Sequence, residues 1–390
     1  MKLWKRAAGA LKDRNSLLIN TLSRRQRHSS DLHAAVIRAT SHDEARVDYR
    51  NSQRVFAWAR TAPSIHLKPL VWAISSRAHR TRSWSVALKC LMLLHGVFCC
   101  KVPAVQRIGR LPFDLSDFTD GHSSLSKTWG HNALVRAYFN FLDQKSAFLY
   151  ADLKEIRKVK AAGPEDSIMA EIVMLQKLQS LLSLLLQVRP QAEGMRGTLV
   201  LEAMDCIIIE IFDTYSRVCN LIARVLSRIY GASLAEASMV LLVLRQANAQ
   251  GDDLADYFEF CKVYGVLNAS EFPKVERIPE EDIREVERIV NGEGEEESKA
   301  IVVRESSGAG AGELVLSSGK VLRTVVTDKW ESFLRRISLL ANVTGKMETL
   351  LANAHLHFDD MAWCDADTCG ASRRVIEVGK KLRASMIERL

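Results

Sequence analysis

"WSVALKCLMLLHGVFCC", residues 84–100, is apolar on nearly every face of a helix and is interrupted only by Lys89 and His95. A surface helix carries its apolar side chains along one stripe, so a helix apolar all round belongs where other helices surround it. The stretch therefore predicts the central element of a multilayer helical assembly. Outward from it, Leu67, Leu70, Val71 and Ile74 recur at i, i+3, i+4 and i+7, as do Leu134, Ala137, Tyr138 and Phe141. Ile168, Ile172, Leu175, Leu178, Leu182 and Leu185 carry the same period through five turns. No alternating series of the strand-hairpin kind occurs. Pro63, Pro69, Pro103, Pro112, Pro164 and Pro190 fall mostly at or near the inferred helix boundaries, where a missing N–H does least harm. The expected fold class is all-α: many medium-length helices joined by short turns, as a right-handed solenoid or bundle. No fixed sequence repeat accompanies it.

A chain of 390 residues, 47% of them hydrophobic, can bury one large core or two modest ones. The two longest apolar stretches, residues 84–100 and 167–188, are interrupted by Lys89, His95, Glu171 and Lys177, so no transmembrane helix is expected. The basic N-terminus "MKLWKRAAGALKDRN" lacks the apolar core of a secretory signal. The eight scattered cysteines suit reduced thiols in the cytosol better than a disulfide framework.

Charge is distributed unevenly. Residues 1–80 hold 16 Lys or Arg against five Asp or Glu, a balance of +11 that exceeds the +8 of the whole chain. A basic first fifth points to a polyanion, either a nucleic acid or an anionic membrane, or else to a solvated basic face. Near residue 280 the composition changes: nine acidic and two basic residues lie between Glu280 and Glu297, and "ESSGAGAGELVLSSGK" follows with the composition of a flexible linker. The expected organisation is a helical domain over 1–290, a linker over 291–325 and a helical extension over 326–390, in part disordered.

Catalytic signatures are scarce. The chain has no G-x-x-x-x-G-K-[ST] loop, no G-x-S-x-G elbow and no H-E-x-x-H pair, so an enzyme is not expected. His355, His357, Asp359, Asp360, Cys364, Asp367 and Cys369 are zinc-ligand types, but their spacing matches no established finger; no metal and no cofactor are expected. His95, inside an apolar helix, reads as a hydrogen-bonded core histidine.

"DLHAAVIRATSHDEARVDYRN", residues 31–51, sets Arg38, Thr40 and His42 at a helix end and Arg46 and Arg50 just beyond. With "GALKDRNSLL" (9–18), "SWSVALKCLMLLHGVF" (83–98), "LSDFTDGHSSLSKTWGHNALVRAYFNFLDQKSAF" (115–148) and "YFEFCKVYGVLNASEFP" (257–273), it follows the motif order of the ANTH domain. Over roughly residues 1–290 the chain resembles the ANTH-domain clathrin assembly proteins, the plant branch most closely. The resemblance implies a superhelix of about 9–11 helices. It also implies a noncatalytic adaptor on the cytosolic face of membranes, at clathrin-coated pits and vesicles or the Golgi. Implied partners are phosphoinositides, phosphatidylinositol 4,5-bisphosphate in the family, together with clathrin and its adaptor proteins and an R-SNARE. A cargo adaptor that binds phosphoinositides or a SNARE without clathrin is the second reading. A basic helical nucleic-acid binder is the third, and no nucleic acid is expected.

The family reads the headgroup with a Lys-Ala-Thr helix end followed by a Lys-x-Lys-His cluster. Arg38, Ala39 and Thr40 match the first element, while Asp48, Arg50 and Asn51 occupy the cluster positions. The implied headgroup residues are Lys12, Arg38, Thr40, His42, Arg50 and Asn51, with Arg46 and Arg54 as a supporting basic face. Arg38 and Arg50 suit phosphate oxygens. Asp48 is expected to repel them. Leu3 and Trp4, beside Lys2, Lys5 and Arg6, suit shallow insertion into a membrane. The Asp-Pro-Phe, Asn-Pro-Phe and clathrin-box motifs common in family tails do not occur after residue 290.

Overall fold

The computed structural model describes residues 2–22, 27–121, 125–162, 168–267, 269, 275 and 277–291. The expectations for the linker beyond residue 291, the extension at 326–390 and the His/Cys/Asp group at 355–369 lie outside the described residues, as do the side chains of Leu3 and Trp4. Ten α-helices and no strand occur among the described residues. They are α1 (Lys2–Leu22), α2 (Arg27–Ala39), α3 (Tyr49–Thr61), α4 (Pro63–Arg80), α5 (Trp84–Cys99), α6 (Leu125–Ala162), α7 (Ile168–Gln187), α8 (Thr198–Ser227), α9 (Leu234–Tyr264) and α10 (Glu280–Val290).

Each helix packs on its successor in the chain, and α2 on α4, α3 on α5 and α7 on α9 add next-neighbour contacts. That is the layout of a solenoid, in which each element covers the apolar face of those beside it. Among the described residues, contacts also reach beyond next neighbours, as between α5 and α8. From Ser85 to Phe98 every residue of α5 except Met92 and Gly96 is buried, as an all-round apolar helix requires. Gly96 lets α3 come close, since a Cβ there would lie 2.3 Å from the Phe56 ring.

α7 is long and apolar enough to cross a membrane, yet it buries Ile172, Leu175, Leu178, Leu182 and Leu185 among α6, α8 and α9. Pro63 occupies the first turn of α4, where its ring is pre-set for a helix. Pro69, by contrast, sits inside α4 and not at a boundary. The carbonyl it leaves without an N–H belongs to Ile65, which is 66% exposed, so solvent can satisfy it. The acidic run near residue 280 begins inside the fold: α10 buries Ile283 and Val286 against α9, and Arg245 donates to Glu287 at 2.6 Å. The six described cysteines are free thiols.

Among the described residues, an ionic network lies deep in the core. His95 on α5 meets the Tyr138 hydroxyl through Nδ1 at 2.7 Å and the Glu210 carboxylate of α8 through Nε2 at 3.0 Å. Lys145 of α6 pairs with the other Glu210 oxygen. Burial alone would lower the His95 pKa, but the Cys99 sulfur and the Glu210 carboxylate raise it to about 9. Burial works to raise that of Glu210, and the two cations bring it down to about 2. Both shifts favour the charged forms, and His95 is the hydrogen-bonded core histidine its setting predicts.

Candidate functional site

The corner between α2 and α3 is built from beneath. At the end of α2 the buried Thr40 donates its hydroxyl to the Val36 carbonyl at 2.6 Å, and the Ser41 N–H closes a turn on the Arg38 carbonyl at 3.2 Å. His42 is then gripped by Asp13 of α1: its backbone N–H donates to Oδ2 at 2.9 Å and its ring Nδ1 meets Oδ1 at 2.7 Å. Arg77 of α4 donates to the same Asp13 oxygen at 2.6 Å and to the Thr40 carbonyl at 3.1 Å. Burial pushes the Asp13 carboxyl up, but hydrogen bonds from His42 and Arg77 leave it below its ordinary value. Gly9 permits this docking, since a Cβ there would come within 2.7 Å of the His42 Cβ.

A second brace rises from α5. Lys89, only 2% exposed, donates to the Asp43 carbonyl at 2.6 Å and the Ser41 hydroxyl at 3.2 Å. Burial lowers its pKa to about 8, against the pull of Asp43, Asp13 and Asp48. Buried that deeply, Lys89 sets the shape of the corner and cannot meet a ligand on its surface.

The sequence-predicted residues divide into two groups. Arg38, Arg46, Arg50, Arg54 and Lys12 are exposed, at the end of α2, in the turn, on α3 and on α1. Arg54 donates to Asn51 Oδ1 at 3.4 Å and lies over the Trp58 ring. Thr40 and Asn51 are buried and His42 is mostly so. Asn51 donates its side-chain N–H to Asp48 Oδ2 at 2.7 Å. These three hold the turn's geometry, whereas the exposed arginines present charge to solvent.

Asp48 has a role that repulsion of phosphate leaves out. It is the N-cap of α3: Oδ1 accepts the Asn51 backbone N–H at 3.0 Å, and the Ser52 hydroxyl donates to its carbonyl at 2.9 Å. The adjacent Tyr49 hydroxyl bonds to Glu202 of α8 at the surface, tying the start of α3 to that helix. The carboxylate thus remains near Arg50 but is engaged with the helix end. Asp13, Arg77 and Lys89, which hold the turn in place, are not among the residues that the sequence singles out for this site. A lone lysine in an apolar helix signals a buried partner, but its identity depends on contacts more than 40 residues away.

The braces yield a prediction. Lys89→Met removes the amine under the turn and leaves the Asp43 carbonyl without its donor. Amide exchange at Ser41 and His42 should quicken severalfold, while α-helical content by circular dichroism should stay close to wild type. Exchange as slow as in the wild type would show that the corner keeps its shape without α5.

Residues 31–292 match the family model described as "ANTH domain". The chain is 53% identical over 335 residues to "Putative clathrin assembly protein At1g25240" of Arabidopsis thaliana, covering 85% of this chain and 87% of that one. To "Putative clathrin assembly protein At1g68110" of the same plant it is 50% identical over 349 residues, 85% of this chain and 88% of the relative. A third, "Putative clathrin assembly protein At1g14686", is 43% identical over 74% of this chain and 82% of its own length. With the all-helical fold, the motif order and these matches in agreement, the chain belongs to the ANTH-domain family of noncatalytic adaptor proteins.

Proposed function

We propose that this protein is a peripheral membrane adaptor that binds anionic phosphoinositide headgroups at the α2–α3 corner and promotes clathrin coat assembly at coated pits and vesicles. In this reading residues 1–290 form the membrane-binding domain, 291–325 a linker and 326–390 an extension. The observation that carries the lipid half is the exposed set Arg38, Arg46 and Arg50 on a turn braced from three helices by Asp13, Arg77 and Lys89. Arginine suits phosphate because its fork donates two parallel charge-assisted hydrogen bonds. A braced turn loses little conformational entropy when the ligand arrives. The coat half rests on the relatives, each described as a clathrin assembly protein.

The test is co-sedimentation with vesicles containing phosphatidylinositol 4,5-bisphosphate, with clathrin then added. The protein should pellet with the vesicles and carry clathrin with it. Pelleting without clathrin would remove the coat half and keep the lipid half.

Asp48 offers a finer check. A lysine here would add attraction but would also delete the α3 cap, at a cost of about 1 kcal/mol in stability. Asp48→Asn keeps the cap and removes the charge, since asparagine caps as well as aspartate, but it gives up the Oδ2 atom that accepts from the Asn51 side chain. It should tighten binding about fivefold, from roughly 1 kcal/mol per charge near an anionic leaflet. Vesicle titration measures the gain, and a smaller fall in melting temperature than Asp48→Lys gives confirms that the cap is kept. No gain would mean that the bound phosphates lie away from this end of α3.

A further inference from the structure

A second feature lies on α4, apart from the α2–α3 corner. α4 and the loop carrying the 3-10 turn Val105–Arg107 enclose a groove of about 510 Å³. Its wall is apolar: Leu67, Val71 and Trp72 on α4 face Ala104, Ile108 and Pro112 across it. Trp72 is 61% exposed and is held from the side by the His33 ring, edge-on at 5.4 Å. Ile65, seven residues before Trp72 and therefore on the same helix face, extends the apolar stripe beyond the groove. The groove is pre-formed: Ser75 donates to the Pro112 carbonyl at 2.7 Å, and Val105, Leu111 and Phe113 anchor the loop in the core.

Its rim is basic. Lys68, Arg107 and Arg110 line it, and no acidic side chain does. Arg110 is paired with Asp143, while Lys68 and Arg107 have no carboxylate partner among the described residues. An exposed tryptophan beside arginine, on a pre-formed apolar floor, is the composition of an interface hot spot. The two uncompensated cations specify the sign of the partner.

We propose that this groove docks an acidic peptide segment of a partner protein that carries an aromatic or aliphatic anchor. The anchor lies against Trp72, Val71 and Ile108, and flanking carboxylates pair with Lys68 and Arg107. This site is independent of the headgroup reading, since none of its residues belongs to the α2–α3 corner.

The experiment uses the full chain and a labelled synthetic amphipathic peptide with Trp, Leu and Phe on one helical face and Glu on the other, followed by fluorescence anisotropy. The peptide should bind, and its counterpart with Lys in place of Glu should not. Trp72→Ala should weaken binding about tenfold, and Lys68→Glu combined with Arg107→Glu should abolish it. All three positions are exposed or on the rim, so melting temperatures should be unchanged. Failure to bind, or binding indifferent to Trp72→Ala, overturns the proposal. So does loss of vesicle binding in Trp72→Ala equal to its loss of peptide binding, which would make this face a membrane contact.

Discussion

Glu210→Gln is expected to destabilise the protein by about 3–5 kcal/mol, because it removes the carboxylate that both His95 and Lys145 contact in a buried site. Glutamine is nearly the same size and still accepts one hydrogen bond, so the loss is electrostatic and not a packing defect. Lys145 remains fixed on α6 with its positive charge drawn out of water and its nearest carboxylate gone, and His95 must hold its charge without that partner or give up its proton. At roughly 2–4 °C per kcal/mol for a domain of this size, the melting temperature should fall by about 10 °C. The wild-type pH profile should agree. His95, with its pKa raised to about 9, adds stability that is fully present below the ordinary histidine value and is lost as pH rises through 9. Glu210, lowered to about 2, adds stability present above the ordinary glutamate value and lost as pH falls through 2. The network's contribution is therefore greatest between those ordinary values, at roughly pH 4.5–6.5. Glu210→Gln should flatten the profile, and a variant that melts like wild type at pH 6 would show that the network contributes nothing.

Replacing Arg38 and Arg50 together by glutamate is the second large effect. Both side chains are exposed, one at the C-terminal end of α2 and one in the first turn of α3, so neither change creates a buried defect. Each reversal moves two charge units at the leaflet. At about 1 kcal/mol per unit the pair amounts to roughly 4 kcal/mol, close to a thousandfold in affinity. Wild-type binding should also weaken as salt rises from low to above physiological, because exposed charges are screened beyond about 8–10 Å at those ionic strengths. The double variant, with four charge units fewer on this face, should show a shallower salt dependence. Salt-insensitive wild-type binding would point to insertion of apolar side chains in place of charge.

Much of the architecture is legible locally. The all-round apolar pattern of α5 predicts its burial, and the long 3.6-residue period of α7 predicts the face that packs, because both follow from side chains three and four residues apart. Lys89 and His95 stand out in that apolar run as groups that need partners. The partners themselves are illegible: the Asp43 carbonyl lies 46 residues before Lys89, and Glu210 lies 115 residues after His95. Asp13 belongs to a motif that places α1 in the family pattern, yet its grip on His42 and Arg77 depends on three helices meeting. Asp48 is different, because an aspartate three residues before the N–H it caps is a local signal. Comparison with the family cluster reads the same carboxylate as a substituted phosphate contact, and both descriptions bear on one side chain.

Whether anionic headgroups bind at the braced α2–α3 corner is decided by vesicle titration of the wild type and of Arg38→Glu with Arg50→Glu. Two vesicle types of equal net charge are compared, one containing phosphatidylinositol 4,5-bisphosphate and one only phosphatidylserine. Wild type should bind the phosphoinositide vesicles more tightly, and the double variant should lose that preference along with nearly all of its affinity. A double variant that keeps the wild-type affinity and preference would contradict binding at this corner and place the binding surface elsewhere on the molecule.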